Sequence, residues 1–172
     1  LKTMVLKSIS TKPENFNKIQ QEYLDLLDQY GYTPETLSVQ KSYAHFLAFT
    51  LDQPEEAINI LKNTLDYNVP ELQIAEIKLE LGDILVFQEK FNQALIYYTQ
   101  IQRNLKNSTI SQEARFRVAK ASYYKGDFKW AESQLKILKA STSQLTANDA
   151  LDLKLLISDN RVEDSTQTPL KK

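Results

Sequence analysis

Small side chains recur in this chain at one fixed interval. Ala57 and Ala94 lie 37 positions apart, as do Ala94 and Ala131, and Phe91 and Phe128. The residues around them recur as well. Leu81-Gly82-Asp83 precedes Lys90-Phe91-Asn92-Gln93-Ala94, and Val118-Ala119-Lys120 precedes Asp127-Phe128-Lys129-Trp130-Ala131. The earliest alanine stands in Pro54-Glu55-Glu56-Ala57. A period of this size marks an array of small units, each of which buries its apolar face against its neighbours. Three copies of one unit are expected. Another step of 37 reaches Thr168, in a polar stretch where the period ends.

Helix punctuation divides the chain at the same places. Pro13-Glu14 reads as a helix start, because proline in the first turn loses no hydrogen bond and an acid there suits the helix dipole. Phe16, Ile19, Tyr23, Leu26, Leu27 and Tyr30 follow at helical spacing, and Gly31 ends the run. Thr33-Pro34-Glu35 opens a second helix carrying Leu37, Ala44, Leu47, Ala48 and Leu51. Asp52-Gln53-Pro54-Glu55 separates it from a third, with Ala57, Ile58, Leu61 and Leu65. A long fourth helix is expected from about Pro70 to Phe87, on Ile74, Ile77, Leu81, Ile84 and Leu85. Phe91 is expected in the following turn, and Ala94, Leu95, Tyr98, Ile101 and Leu105 on the fifth helix. The sixth carries Ala114, Val118, Ala119 and Ala121. The seventh, after Gly126-Asp127, carries Trp130, Ala131, Leu135 and Leu138. Beyond the polar Ser141-Thr142-Ser143, an eighth is expected over 147–158 with Ala150, Leu151, Leu153, Leu155 and Leu156. Only three glycines and five prolines in 172 residues agree with long helices and short connections.

The repeating phrases resemble the tetratricopeptide repeat, a helical hairpin family with a period of about 34 residues. The likeness covers roughly residues 38–142. The family's landmark positions match Leu81, Gly82, Phe91, Ala94, Tyr98 and Ile101 in the middle copy. They match Val118, Ala119, Phe128, Ala131, Leu135 and Leu138 in the last, and Ala44, His45, Pro54, Ala57, Leu61 and Thr64 in the first. The first copy departs most, with His45 at a small-residue position and Pro54 in place of the turn aromatic. The resemblance implies an all-α, right-handed superhelical solenoid of antiparallel helical hairpins. On that reading residues 13–33 form a flanking helix, 34–142 three hairpins, and 143–160 a C-terminal flanking helix. Residues 1–12 give no firm signal, and 161–172 form a tail that reads as the start of a continuation. Leu79-Glu80-Leu81-Gly82-Asp83-Ile84-Leu85 and Ser122-Tyr123-Tyr124-Lys125-Gly126-Asp127-Phe128 are also similar to phrases of multi-repeat bacterial envelope-associated proteins. That likeness implies a longer parent chain and a periplasmic or envelope-associated location, with the cytoplasm as the alternative.

The residues offer little for catalysis. There are no cysteines, one histidine, no HExxH and no glycine-rich phosphate loop. An enzymatic or ligand-binding reading would have to use His45 with groove acids such as Asp83. The expectation is a non-enzyme with no cofactor and no metal. A net charge of −1 argues against a general nucleic-acid binder. The basic third hairpin, with Arg115, Arg117, Lys120, Lys125, Lys129, Lys136 and Lys139, reads as a solvated face, with an acidic partner as the second reading. No run reaches the roughly 18 apolar residues of a membrane span, so no direct membrane insertion is expected.

In the repeat family the first helix of each hairpin lines a concave face. The positions implied to stand exposed there are Val39, Ser42, Phe46 and Phe49, then Glu76, Leu79, Asp83 and Val86, then Glu113, Phe116, Lys120 and Tyr123. Apolar side chains on such a groove suit a partner peptide or helix; the alternative cover is the N-terminal helix of the chain itself or a flanking segment of a longer parent. Some family members clamp a C-terminal carboxylate with lysine and asparagine, and that set is missing here. The expected function is a non-catalytic protein–protein interaction or scaffold module, with a structural spacer in a larger repeat protein as the alternative.

Overall fold

The computed structural model describes residues 13–138 and 148–158, and every regular element among them is helical. They are α1 (Pro13–Tyr30), α2 (Leu37–Phe49), α3 (Pro54–Thr64), α4 (Glu71–Phe87), α5 (Phe91–Asn104), α6 (Thr109–Tyr124), α7 (Phe128–Leu138) and α8 (residues 148–158). A short 3-10 turn, Pro34–Thr36, leads into α2. The N-terminal segment 1–12, the polar break at 141–143, Lys139 and the tail 161–172 lie outside the described residues.

Two compact units divide the chain, Leu1–Ile84 and Leu85–Lys172. In the first, α2 packs along α3 and α1 rests on α2. In the second, α6 packs along both α5 and α7. Connections of a few residues between packed helices make such neighbours antiparallel.

The interval of 37 is visible in the backbone itself. Helices α3, α5 and α7 begin at Pro54, Phe91 and Phe128, and each has its alanine at the fourth position. Ala57, Ala94 and Ala131 are all fully buried. Ahead of each start stands a residue with positive φ: Asp52 at 55°, Glu89 at 58° and Gly126 at 86°. Two of these turns share one hydrogen-bond pattern. Glu89 N donates to Val86 O at 2.9 Å and Lys90 N to Leu85 O at 2.8 Å. Gly126 N donates to Tyr123 O at 2.9 Å and Asp127 N to Ser122 O at 2.8 Å. This paired closure is the Schellman ending, which needs a left-handed residue after the helix. The first turn closes differently, with Gln53 N donating to Leu47 O at 2.9 Å.

Burial repeats at the landmark positions except at His45, which is partly exposed where Gly82 and Ala119 are buried. Ala44, Ala57, Leu61 and Thr64 are buried, as are Leu81, Gly82, Ala94, Tyr98 and Ile101, and Val118, Ala119, Ala131, Leu135 and Leu138. Phe91 and Phe128 are half-buried, as is Pro54 at the same register. The two phenylalanines open their helices instead of lying in the turn before them. Thr64 fills an aliphatic position by donating its hydroxyl to Leu61 O at 2.7 Å, which satisfies its one polar group inside the core.

A buried polar knot fixes the α1–α2 corner. Gly31, at φ 78°, closes α1 through its N–H to Leu27 O at 2.8 Å. Thr36 Oγ1 accepts from Thr33 N at 3.1 Å and donates to Gly31 O at 2.8 Å. Gln40, almost fully buried, donates to Thr33 O and to Thr36 Oγ1, both at 2.9 Å. Tyr67 reaches across to the same corner, donating to Tyr32 O at 2.9 Å.

Several apolar expectations are corrected. Leu26, Tyr30 and Trp130 stand exposed at 38%, 59% and 51%, so the buried stripes of α1 and α7 are narrower than the apolar composition. On α8 the buried set is Ala150, Leu153 and Ile157, while Leu151, Leu155 and Leu156 are exposed. That helix is apolar on more than one side, and its packing partner selects the stripe. Ala150, Leu153 and Ile157 join Ala119, Ala131, Leu135 and Leu138 in one cluster.

Candidate partner-binding groove

Within the first unit, α2 and α4 are tied by two polar contacts in a common register. Lys41 pairs with Glu76 across exposed side chains, and one turn further along His45 Nδ1 lies 2.7 Å from Glu80 Oε1. A carboxylate can only accept, so the imidazole donates from Nδ1. Both pairs span 35 residues. The His45 ring, part exposed, lies 4.7 Å from the Phe49 ring, centroid to centroid. His45 therefore meets the acid Glu80 and the ring of Phe49.

At the N-terminal end of this seam is an open pocket of about 220 Å³, lined by Pro34, Glu35, Leu37, Ser38, Lys41, Gln73, Glu76 and Ile77. Its lining joins the buried Leu37 and Ile77 to the charged Glu35, Lys41 and Glu76. A hydrogen bond from Thr33 is the main influence holding the Glu35 carboxyl below its ordinary range, followed by a backbone hydrogen bond.

The expected groove residues divide by exposure. Val39 is half-buried, Ser42 and Glu76 are exposed, and Phe49 is 38% exposed. Asp83 and Val86 are half-buried. Two residues are corrected. Phe46 is buried at 6%, covered by the first helix: its ring lies 6.2 Å from Phe16, edge on, and 5.9 Å from Tyr23. Leu79 is buried at 7%, because α4 buries side chains around most of its circumference, including Ile74, Ala75, Ile77, Leu81, Ile84 and Leu85.

In the second unit, Glu113, Phe116 and Tyr123 are half-buried and Lys120 is exposed. Phe116 and Tyr123 lean on the α6–α7–α8 cluster, and the Tyr123 ring lies 5.6 Å from Phe128. The basic residues of this hairpin largely have polar company. Arg117 donates to Glu113 Oε1 at 2.8 Å, Arg115 to Gln134 Oε1 at 3.1 Å and Lys125 to Asn92 Oδ1 at 2.8 Å. Lys136 lies 3.6 Å from Glu132. Of the adjacent tyrosine pairs, Tyr98 is buried while Tyr97 is half-buried, and Tyr124 is exposed beside Tyr123.

Glu35, Ser38, Lys41 and Glu80 belong to this seam and were not among the expected positions. Their sequence signal is weak: Lys41 and His45 are four apart, as are Glu76 and Glu80, but pairing them needs the register of α2 on α4. Among the described residues there is no group of three or more His, Asp or Glu able to hold a metal ion, and no helix long and apolar enough to cross a membrane. Compared with protein-family models, with characterised proteins and with solved structures, the chain matches none of them.

Proposed function

We propose that this chain is a non-catalytic protein–protein interaction module of the tetratricopeptide-like solenoid type, and that the α2–α4 face receives a peptide or helix from a partner. The observation that carries the reading is the seam itself. A pocket with apolar and charged side chains in its lining opens at one end of two helices tied in register by Lys41–Glu76 and His45–Glu80, and Phe49 stands exposed at the other end of the same face. A site held by two packed helices pays little reorganisation on binding, which favours affinity. The exposed Phe49 would supply the burial and the charges of the pocket lining the specificity. The 37-residue recurrence of turn, alanine and burial supports the solenoid part of the reading. An envelope-associated location in a longer parent belongs to the same proposal.

The test is selection of peptides from a random display library on the intact chain, followed by amide chemical-shift mapping. Enriched sequences should perturb α2 and the first three turns of α4, and Phe49→Ala should weaken them at least tenfold, about 1.4 kcal/mol. Enrichment of nothing, or shifts confined to other helices, would reject the groove. A structural spacer is the second reading, favoured by the exposed Leu151 and Leu155 of α8, which another repeat stacked there would cover.

A further inference from the structure

The pocket at the start of α2 carries an unbalanced charge. Five of its eight lining residues are polar: Glu35, Ser38 and Lys41 from the first of its two walls, Gln73 and Glu76 from α4. Two of these are anions and one is a cation, and the cation, Lys41, is already paired with Glu76. That leaves Glu35. It is exposed, and among the described residues no cation pairs with it. The Thr33 hydrogen bond favours its ionised form. The Ser38 hydroxyl and the Gln73 amide oxygen add neutral acceptors, one from each wall.

Size and setting narrow the occupant. A volume of about 220 Å³ lies below the roughly 300–1,000 Å³ of small-molecule sites, so the opening suits one side chain of a larger partner. Leu37 and Ile77 add apolar surface to the lining, which suits an aliphatic stem behind a charged head. The surrounding unit has the sign of Glu35. Residues 13–84 hold 4 lysines and no arginine against 13 Asp and Glu, a net −9 with His45 neutral. Lys78, two residues beyond Glu76, lies about 200° around α4 from it, on the far side from the pocket.

We propose that this pocket receives an arginine side chain of the partner peptide, with the guanidinium at Glu35 and the stem against Leu37 and Ile77. The pocket lies on the α2–α4 face proposed above to dock a peptide, so its role rests on that reading and names the residue the partner carries there. Arginine fits better than lysine, because its planar fork offers five donors to acceptors spread over two walls, whereas an ammonium is a point charge. The negative field of the unit speeds the encounter with a basic segment, and Glu35 fixes where its charge comes to rest. The pair stays partly exposed, so its contribution is modest and falls with salt.

N-acetyl-arginine amide, titrated into the full chain with amide chemical shifts as the readout, tests this. Saturable shifts should concentrate in residues 34–41 and 73–77. N-acetyl-citrulline amide, which keeps the shape and lacks the charge, should bind at least about threefold more weakly, and N-acetyl-lysine amide about twofold more weakly. Glu35→Gln should weaken the arginine probe at least about threefold. Glu56→Gln, which removes the same charge from an exposed position of α3, should leave it unchanged. If E35Q alters the spectrum beyond its own turn, Gln73→Ala replaces it and should weaken binding in the same direction. Shifts spread over the acidic surface, a citrulline or lysine probe that binds as well as arginine, or E35Q binding like the wild type overturns the proposal. Display-selected peptides that map to α2–α4 yet carry no arginine also overturn it, and leave the docking face standing. An arginine probe seated in the pocket with no peptide enriched upholds the pocket's preference and rejects the docking face instead.

Discussion

Replacing Ala131 by leucine should destabilise the fold far more than placing the same leucine two residues earlier. Ala131 is fully buried on α7, in a cluster with Ala119, Leu135, Leu138, Ala150, Leu153 and Ile157. Ala119, across the contact on α6, is also fully buried, so two methyl groups mark a place where the helices meet closely. Leucine adds three carbons there with no space to receive them. Overpacking of this kind costs about 1–3 kcal/mol. For a chain of this length that is roughly 2–12 °C in Tm, at ~2–4 °C per kcal/mol. Lys129→Leu adds a leucine at an exposed position of the same helix and should stay within about 0.5 kcal/mol. The recurrence makes the argument stricter. Ala57→Leu and Ala94→Leu should lose similar amounts, against Asn59→Leu and Gln93→Leu as their exposed controls. Two compact units need not unfold together, so hydrogen exchange read helix by helix should accompany the melting curves. Ala57→Leu should lower protection within residues 13–84, and Ala131→Leu within α6–α8. If the buried substitutions melt with their controls, or only one of the three matters, the equivalence inferred from the 37-residue interval is wrong.

Gly126→Ala should cost about 1 kcal/mol although nothing lies within 4 Å of the added Cβ, because φ of 86° is strained for any L side chain. Glu89→Gly, at the equivalent turn with φ 58°, should be neutral or stabilising by up to about 1 kcal/mol; urea midpoints of the two variants check the opposite signs. Burial pushes the Tyr23 and Tyr43 hydroxyls above the ordinary tyrosine range. Below about pH 10 both states keep these protons, whereas above it the unfolded chain releases them first, so stability should fall as pH rises through the raised values. Tyrosinate absorbance rising together with helix loss checks this; ionisation of both groups without any loss of helix counts against it. Phe116→Ala should cost about 2 kcal/mol, below the 3–5 of a fully buried phenylalanine, because the ring leans half-exposed on the α6–α8 cluster. An unchanged denaturation midpoint would place the ring outside the core.

The chain's helices were legible because their signals are local. Pro13, Pro34 and Pro54 at starts, and Gly31 and Gly126 at ends, act through the φ values they permit and need no distant partner. The recurrence of alanine was legible for a related reason: a close helix contact tolerates few side chains, so the same need leaves the same residue at Ala57, Ala94 and Ala131. Asp52 and Glu89 were not legible as left-handed turn residues, since neither is the glycine that usually advertises one.

What remained hidden was which side of an apolar helix would be covered. Six apolar residues on α8, and Trp130 beside Ala131 on α7, satisfy more than one helical stripe, and only the position of a neighbouring helix selects among them. Phe46 met the spacing rule for a groove position, yet Phe16 and Tyr23 of α1 cover it. The candidate site was hidden in the same way. Lys41, His45, Glu76 and Glu80 are ordinary surface residues in the sequence, and become one seam only when α2 lies on α4 in a particular register. The sequence by itself determined where helices start, stop and carry their small residues, because those preferences are set by each residue's own backbone and volume. The tertiary structure alone decided which faces are covered and which charges meet, because those depend on side chains brought together from distant positions.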